Sequence, residues 1–299
     1  MTYSYYPGCT LKTKAIKLET YAQKSAQVLG ITLDEIEAWQ CCGAVYPLGT
    51  DEIAPKLAAV RVLIEAKKKG QPLLTLCSAC HHVLKRVNDD MKNNSDINSR
   101  VNNYLEEDQY NGETEVLHYI EVLHKYIGYD KLREKVKNPL KGRKIGAYYG
   151  CMLLRPSSVM MFDDAENPSI FEGFISALGA EPVSFPLRNE CCGGYISLKE
   201  KERSAAMAAN IVENAKQNGA QELITACPLC LYNVNMAQGY LERGDATQGY
   251  MGRGDMAQGD MAQGYMEQGY MARSDADKGN LPVVYFTEIL AEALGVEIC

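Results

Sequence analysis

No stretch of the 299-residue sequence stays apolar over the roughly 20 residues a membrane-spanning helix needs. Basic excess is missing too: 31 Lys and Arg stand against 38 Asp and Glu, a net charge of −7. That balance argues against a nucleic-acid surface, which normally shows itself as clustered positive charge. The opening MTYSYYPGC has no basic segment followed by an apolar core, the pattern of a secretory leader. The expectation is therefore a cytoplasmic protein with no membrane insertion and no nucleic-acid partner. What remains is ordinary for a globular chain, with 46% hydrophobic and 23% charged residues. The length suits one large domain or two of common size.

Eleven cysteines stand out against this background. Cytoplasmic thiols are kept reduced, so a cysteine-rich pattern there points to metal binding or catalysis before a disulfide framework. The bland alternative is a scatter of small buried hydrophobes. Spacing weighs against it. Cys9, the pair Cys41–Cys42, and Cys77 with Cys80 form one series; Cys151, the pair Cys191–Cys192, and Cys227 with Cys230 form another. Between each pair and the following CxxC lie 34 residues in both series, and the leading gaps are 31 and 39. One unit is written twice: C, then CCG, then CxxC. Cys299, the last residue, stands outside the plan and reads as an incidental thiol.

The flanks repeat as well. TYSYYPGC answers KIGAYYGC, WQCCGAVYPL answers NECCGGYISL, and PLLTLCSAC answers LITACPLC. Short apolar or aromatic runs of strand character precede the outer cysteines, and helical patterns follow, as over Ile53–Lys68 and Lys199–Asn218. Alternating strand and helix predicts an α/β fold with parallel sheets, in two pseudo-symmetric modules flanked by helices and packed into one body. Ligand-bearing residues of such folds gather at the carboxyl ends of strands, where these cysteines fall.

Five thiols per module exceed the four of a tetrahedral zinc site, and adjacent cysteines rarely serve one small ion. Thiolates are the usual ligands of iron–sulfur clusters, and a polynuclear cluster gives five of them separate work. A zinc-stabilised scaffold and a thioredoxin-type CxxC remain open, although the latter leaves the CCG pairs unexplained.

The doubled pattern resembles the two-module CCG-domain family that includes the catalytic B subunit of heterodisulfide reductase. Relatives in that family serve lactate, glycolate, succinate or quinone-linked oxidoreductases. The likeness to the B subunit is carried by YYGCMLLRPSSVMMFDDAENPS, FISALGAEPVSFPLRNECCGG, ITACPLCLYNVNMAQG and LPVVYFTEILAEALG. It implies two non-cubane 4Fe–4S clusters, one on Cys9, Cys41, Cys42, Cys77 and Cys80, the other on Cys151, Cys191, Cys192, Cys227 and Cys230. The implied reaction reduces a disulfide of two anionic thiol coenzymes, the CoM-S-S-CoB type of methanogenesis, each cluster delivering one electron. The resemblance also implies a ferredoxin-like iron–sulfur C subunit and a flavin-containing A subunit as partners. This chain lacks the CxxCxxCxxxC run of a ferredoxin domain, so a separate partner must supply electrons. The alternative is an electron-transfer subunit of one of the related complexes.

An anionic substrate needs cations. Lys12 and Lys14 after Cys9, Arg155 after Cys151, and Arg188 before the second CCG are candidate partners for its charge, with plain surface charge as the competing reading. His81 and His82 follow the first CxxC and are candidate proton donors, or a surface pair on a helix.

Between the modules Asp89–Gly112 reads as a polar surface connection, and Val116–Tyr126 and Lys131–Val136 read as helices. The boundary is expected near Leu140, giving modules over 1–139 and 140–299. Residues 236–280 are nine pentads of the MAQGY type, with glycine in all but one. A period of five matches neither helix nor strand, so a surface insertion ahead of a closing helix at Phe286–Leu294 is expected, or else a partner-binding loop.

Overall fold

Each half of the chain builds a four-stranded parallel sheet whose carboxyl edge carries its cysteines. The computed structural model describes residues 1–43, 51–105, 109–242 and 280–296. In the first half β1 (Thr2–Tyr6), β2 (Thr32–Glu35), β3 (Leu73–Thr75) and β4 (Val116–His118) stand in the order β2-β1-β3-β4. In the second, β5 (Lys144–Tyr148), β6 (Glu181–Val183), β7 (Glu222–Thr225) and β8 (Val283–Tyr285) repeat it as β6-β5-β7-β8. Every neighbouring pair is parallel. The α/β expectation and the duplication are both borne out.

The inner strands are short apolar runs buried on both faces, as parallel sheets flanked by helices require. β1 and β3 lie either side of the point where strand order reverses, and so do β5 and β7. Cys9, Cys77, Cys151 and Cys227 follow these four strands within three residues, in the crevice such sheets open at a switch point.

Helices cover the sheets where periodicity expects them. Ala54–Lys68 buries Ala59, Val60, Leu63 and Ala66 along one face, and Lys201–Gln217 buries Ala208, Ile211, Val212 and Ala215. Elsewhere the structure departs from the sequence reading. Asp89 continues the helix Ser78–Asn93, and Ser95–Asn102 is a second helix capped by Asn94. The asparagines there clamp backbone: Asn98 donates to the Met91 and Tyr110 carbonyls at 2.7 and 3.1 Å, and Tyr110 is fully buried. Side-chain amides that satisfy neighbouring peptide groups look like loop polarity in a sequence. Val116–His118 is strand, and helical turns begin only at Tyr119. A three-residue apolar run cannot be told from a buried helix start by period alone.

The two halves exchange their closing segments. After β4 the helix Tyr129–Lys135 packs on Ile170–Ala177 of the second half, with the Tyr129 hydroxyl donating to the Ile170 carbonyl at 2.5 Å. After β8 the closing helix Phe286–Ala293 packs on Ile16–Val28 of the first half, and Thr287 Oγ1 donates to the Leu18 carbonyl at 3.0 Å.

The first pentad belongs to the fold, since the helix Pro228–Glu242 runs through it. Gln238 holds Leu281 through two hydrogen bonds, its Nε2 donating to the Leu281 carbonyl at 2.8 Å and its Oε1 accepting the Leu281 N–H at 2.7 Å, so the tract departs and returns at one point. Residues 243–279 and Cys299 lie outside the described residues. Among the described residues no helix is long and apolar enough to cross a membrane.

Candidate functional site

The turns that present the leading cysteines depend on glycine. Gly8 has φ +74° and Gly150 φ +66°, a left-handed backbone that favours glycine. A Cβ at Gly8 would stand 2.9 Å from Cys80 Sγ, and one at Gly150 3.2 Å from Cys230 Sγ. One residue type serves both turns because the backbone passes directly beside a CxxC sulfur. The CCG loops are held from the same strands. Tyr6 donates its hydroxyl to the Gln40 carbonyl at 2.7 Å, and Tyr148 donates to Glu190 at 2.8 Å. Both carbonyls immediately precede the cysteine pair. A tyrosine three residues before the leading cysteine of each half was the available signal for this clamp.

The sulfurs gather by module. Cys41 Sγ lies 3.6 Å from Cys9 Sγ, and Cys42 Sγ lies 3.4 Å from Cys80 Sγ. Cys192 Sγ repeats that last contact with Cys230 at 3.4 Å, while Cys191 accepts the Gly193 N–H at 3.3 Å. Across the interface the two CxxC segments run side by side, because Ser78, next to Cys77, bonds the Ala226 carbonyl that precedes Cys227. Cys9 and Cys41 are exposed, Cys151 and Cys191 half-buried, and the other six buried.

Crowding opposes ionisation. Hydrogen bonding from Cys42, then from Cys77, then burial push the Cys80 thiol up, and Cys192, Cys227 and burial do the same for Cys230. Two thiols go the other way: Cys191 is held down at about 6 chiefly by the Cys151 thiol with help from the Gly193 N–H, and Cys227 is held down chiefly by the Cys230 thiol. Among the described residues no three His, Cys, Asp or Glu side chains converge as a single ion requires. A group that offers positive charge to several sulfurs at once relieves the crowding, and an all-thiol donor set suits iron–sulfur ligation.

Behind the sulfurs the modules lock together. Ser78 donates its N–H and its hydroxyl to the Ala226 carbonyl, each at 2.9 Å. His118 Nε2 donates to the Leu76 carbonyl at 2.9 Å, and the Tyr285 hydroxyl stands 2.6 Å from Leu76 O and 3.0 Å from Ala226 O. These carbonyls precede Cys77 and Cys227. His118 and Tyr285 are equivalent residues at the ends of β4 and β8, each with its N–H held by a glutamate three residues on.

His118 is buried as the Nε2–H tautomer, because its Nδ1 accepts the Ile120 N–H at 3.3 Å. Burial pushes its pKa down to about 3. The unfolded imidazole, near 6.5, takes up a proton first as pH falls, so stability is full above about 6.5 and drains away toward 3. Between pH 7 and 5 this residue is expected to account for a loss of about 2 kcal/mol. Denaturant melts at the two pH values check it: His118→Gln should flatten the slope by that amount, and an unchanged slope refutes it.

His81 is likewise fully buried, edge-on to His118 and with Nε2 3.4 Å from Glu121. His82 is half-buried and directs Nδ1 to the Met152 carbonyl at 3.1 Å. The surface-pair reading of these two residues fails, because their helix is wedged between the modules.

Comparison with known proteins fixes the family. A family model of the cysteine-rich domain, CCG, matches residues 3–85 and 145–235, which contain all ten of these cysteines. The chain belongs to the CCG-domain family. It is 34% identical over 238 residues to the 8-methylmenaquinol:fumarate reductase membrane anchor subunit of Wolinella succinogenes, covering 79% of this chain and 82% of that one. It is 30% identical over 248 residues to an Archaeoglobus profundus protein named as like the B subunit of heterodisulfide reductase, covering 81% and 83%. Over 232 residues it is 28% identical to the B subunit of the ferredoxin/F(420)H(2)-dependent CoB-CoM heterodisulfide reductase of Methanosarcina acetivorans, covering 76% and 77%. The expected likeness to the B subunit of heterodisulfide reductase is thus shown. The crystal structure of a hypothetical protein from Helicobacter pylori shares the fold, with a TM-score of 0.68 at 14% identity. That alignment covers 99% of this chain and 49% of that one.

The five cysteines of the second CCG module, Cys151, Cys191, Cys192, Cys227 and Cys230, line a small recess of about 10 Å³ that is partly open to solvent. Tyr149, Met152, Tyr195 and Leu229 give it an apolar and aromatic wall, and Ser78 reaches in from the first module. Of the four cations the sequence singled out, three are tied down. Lys12 pairs with Glu35 at 2.6 Å and with Glu19 at 2.8 Å. Arg155 pairs with Glu166 at 3.1 Å and donates to the Asn189 carbonyl at 2.8 Å. Arg188 is buried, 3.2 Å from Glu172 and 2.6 Å from Asn167 Oδ1. Lys14 is exposed. None of the four lines the recess.

Proposed function

We propose that this chain is the iron–sulfur subunit at which an oxidoreductase complex reduces a disulfide, through two non-cubane 4Fe–4S clusters. Cys9, Cys41, Cys42, Cys77 and Cys80 would hold one cluster, and Cys151, Cys191, Cys192, Cys227 and Cys230 the other. The observation that carries the reading is the joining of the two CxxC segments, where Ser78 beside Cys77 holds the carbonyl that precedes Cys227 at 2.9 Å. Two one-electron centres thereby share one substrate position.

When bound, the clusters supply single electrons; the balance is one disulfide, two electrons and two protons giving two thiols. The residues of the chain position and shield. The helices Ser78–Asn93 and Pro228–Glu242 begin at the two CxxC motifs and turn their positive ends toward the sulfurs, which favours thiolate. Tyr149, Met152, Tyr195 and Leu229 keep water from one side of the sulfurs. Bringing the disulfide against both centres is the main contribution of such a scaffold. A ferredoxin-like subunit and a flavin-containing subunit are the partners this reading calls for. Lys12, Lys14, Arg155 and Arg188 remain proposed partners for substrate charge, with three of them available only by leaving their present acceptors.

The Wolinella succinogenes relative, whose name specifies a menaquinol, favours a second reading. In it the same clusters pass electrons from or to a quinone-linked oxidoreductase. Iron, acid-labile sulfide and paramagnetic spectra of anaerobically purified protein separate the two. About eight irons per chain, with a new signal when a disulfide or thiol is added, is the expected result. The same iron with no thiol response, together with reduction by a menaquinol analogue, selects the second reading. Zinc in place of iron sinks both.

A further inference from the structure

The duplication breaks at the point where the modules join. Ser78 in CSAC has Pro228 as its counterpart in CPLC, and each opens the helix that follows. Proline has no N–H, so the joint is one-sided: Ser78 donates across the interface and Pro228 cannot return the bond. Ser78 is 1% exposed and gives the Ala226 carbonyl both its N–H and its hydroxyl, each at 2.9 Å. The Leu76 carbonyl, which Pro228 cannot serve, takes side chains instead: His118 Nε2 at 2.9 Å and the Tyr285 hydroxyl at 2.6 Å. Four donors thus meet the two lone pairs of each carbonyl. Ser78, His118 and Tyr285 are all buried, so a lost donor leaves a carbonyl unsatisfied. The tie is short in covalent terms, because Ser78 follows Cys77 directly and Ala226 directly precedes Cys227.

We propose that Ser78 is a positioning residue that sets the distance between the two thiolate-held metal groups. Its two bonds fasten the first CxxC to the peptide that enters the second. Proline in both motifs would leave that fastening to side chains that approach from β4 and β8. This deepens the disulfide reading and rests on it for one point, that a substrate must meet both groups at once.

Ser78→Pro tests it sharply. The first position of a helix tolerates proline, the extended backbone of Cys77 suits a following proline, and the second module already carries one there. The ring carbon that replaces the N–H must stand off to a C···O contact of about 3.3–3.6 Å. In anaerobic crystals of the loaded protein, anomalous diffraction at the absorption edge of the bound metal should place the two groups about 0.5 Å farther apart than in the native protein. At unchanged iron content, kcat for a disulfide should fall roughly tenfold with KM held within about twofold. Ser78→Ala retains the N–H, so it should keep the native separation and lose less than about threefold in kcat. Where Ser78→Pro does not accumulate, Ser78→Ala combined with Tyr285→Phe removes two of the four donors, and a widened separation is again expected. A native separation in Ser78→Pro, or in that double variant, overturns the role whatever the substrate proves to be. A wider separation with undiminished kcat overturns it as well, since spacing then does not govern the reaction. If the native protein reduces no disulfide, that reading fails by itself, and the metal separation alone decides for or against Ser78.

Discussion

Replacing Cys42 or Cys192 with alanine is expected to halve the iron of the protein, from about eight atoms per chain to about four. The two residues are equivalent, each 3.4 Å from the second cysteine of its own CxxC. Each is buried, so its removal leaves a gap that water does not readily fill with another ligand. The halves should respond independently in metal content, since the sulfur–sulfur contacts of 3.4–3.6 Å join cysteines of the same module. Turnover should not follow the iron. A reaction that draws one electron from each of two centres loses its second electron when either is missing, so each variant is expected to fall by at least about a thousandfold. The double variant should bind almost no iron and be no slower than either single one. Iron and sulfide analysis beside disulfide-reductase rates on the same samples makes the comparison. Full iron in a single variant refutes the ligand sets, and half the iron with half the rate refutes the shared substrate.

The duplication that fixes this expectation was legible in the sequence because ligand chemistry depends on residue type and order. Five cysteines in one plan, repeated with the same 34-residue spacing from pair to CxxC, led to two sheets of one strand order. Strand ends were legible for the same reason, since each leading cysteine follows an apolar run and a glycine with positive φ. Features created by contact between the halves were not legible. His82 stands between the modules only because helix Ser78–Asn93 leans on Met152, seventy residues further along the chain. Lys12 stands beside Cys9 in sequence, but Glu19 on the next helix and Glu35 on β2 claim it. Sequence neighbours of a ligand are poor guides to substrate charge when acidic residues can reach the same place.

The pentad tract shows the opposite limit. Glycine in its first unit argued against helix, yet Met236–Glu242 is helical. Ala237 and Gln238 are buried, and burial outweighs the roughly 1 kcal/mol that a glycine costs. The clamp between Gln238 and Leu281 ties the point of departure to the point of return. An insertion closed in this way adds loop entropy that grows only slowly with length, which is how so long a tract can interrupt a module without disturbing its sheet.

Phe286→Ala is expected to destabilise the whole chain by about 3–5 kcal/mol, a drop in melting temperature of roughly 6–15 °C. Phe286 opens the closing helix and is fully buried. Its ring stands 5.7 Å from His118 and 6.1 Å from Tyr119 of the first half, and 6.5 and 6.4 Å from Phe171 and Phe174 of the second. Truncation therefore opens a cavity where both modules meet, and the aromatic faces around it lose partners that a rigid interface cannot replace. Phe286→Leu, which retains most of the volume, should cost about 1.5 kcal/mol or less. Ile16→Ala on the exposed side of the partner helix should cost within about 0.5 kcal/mol. Because the closing helix covers Ile16–Val28 while Tyr129–Lys135 covers Ile170–Ala177, neither module keeps its outer layer when the other unfolds. One cooperative transition, shifted as a unit and releasing iron from both halves together, is the expected calorimetric trace. Two separated transitions with the first half unmoved would show that the closing helix supports only the module it belongs to.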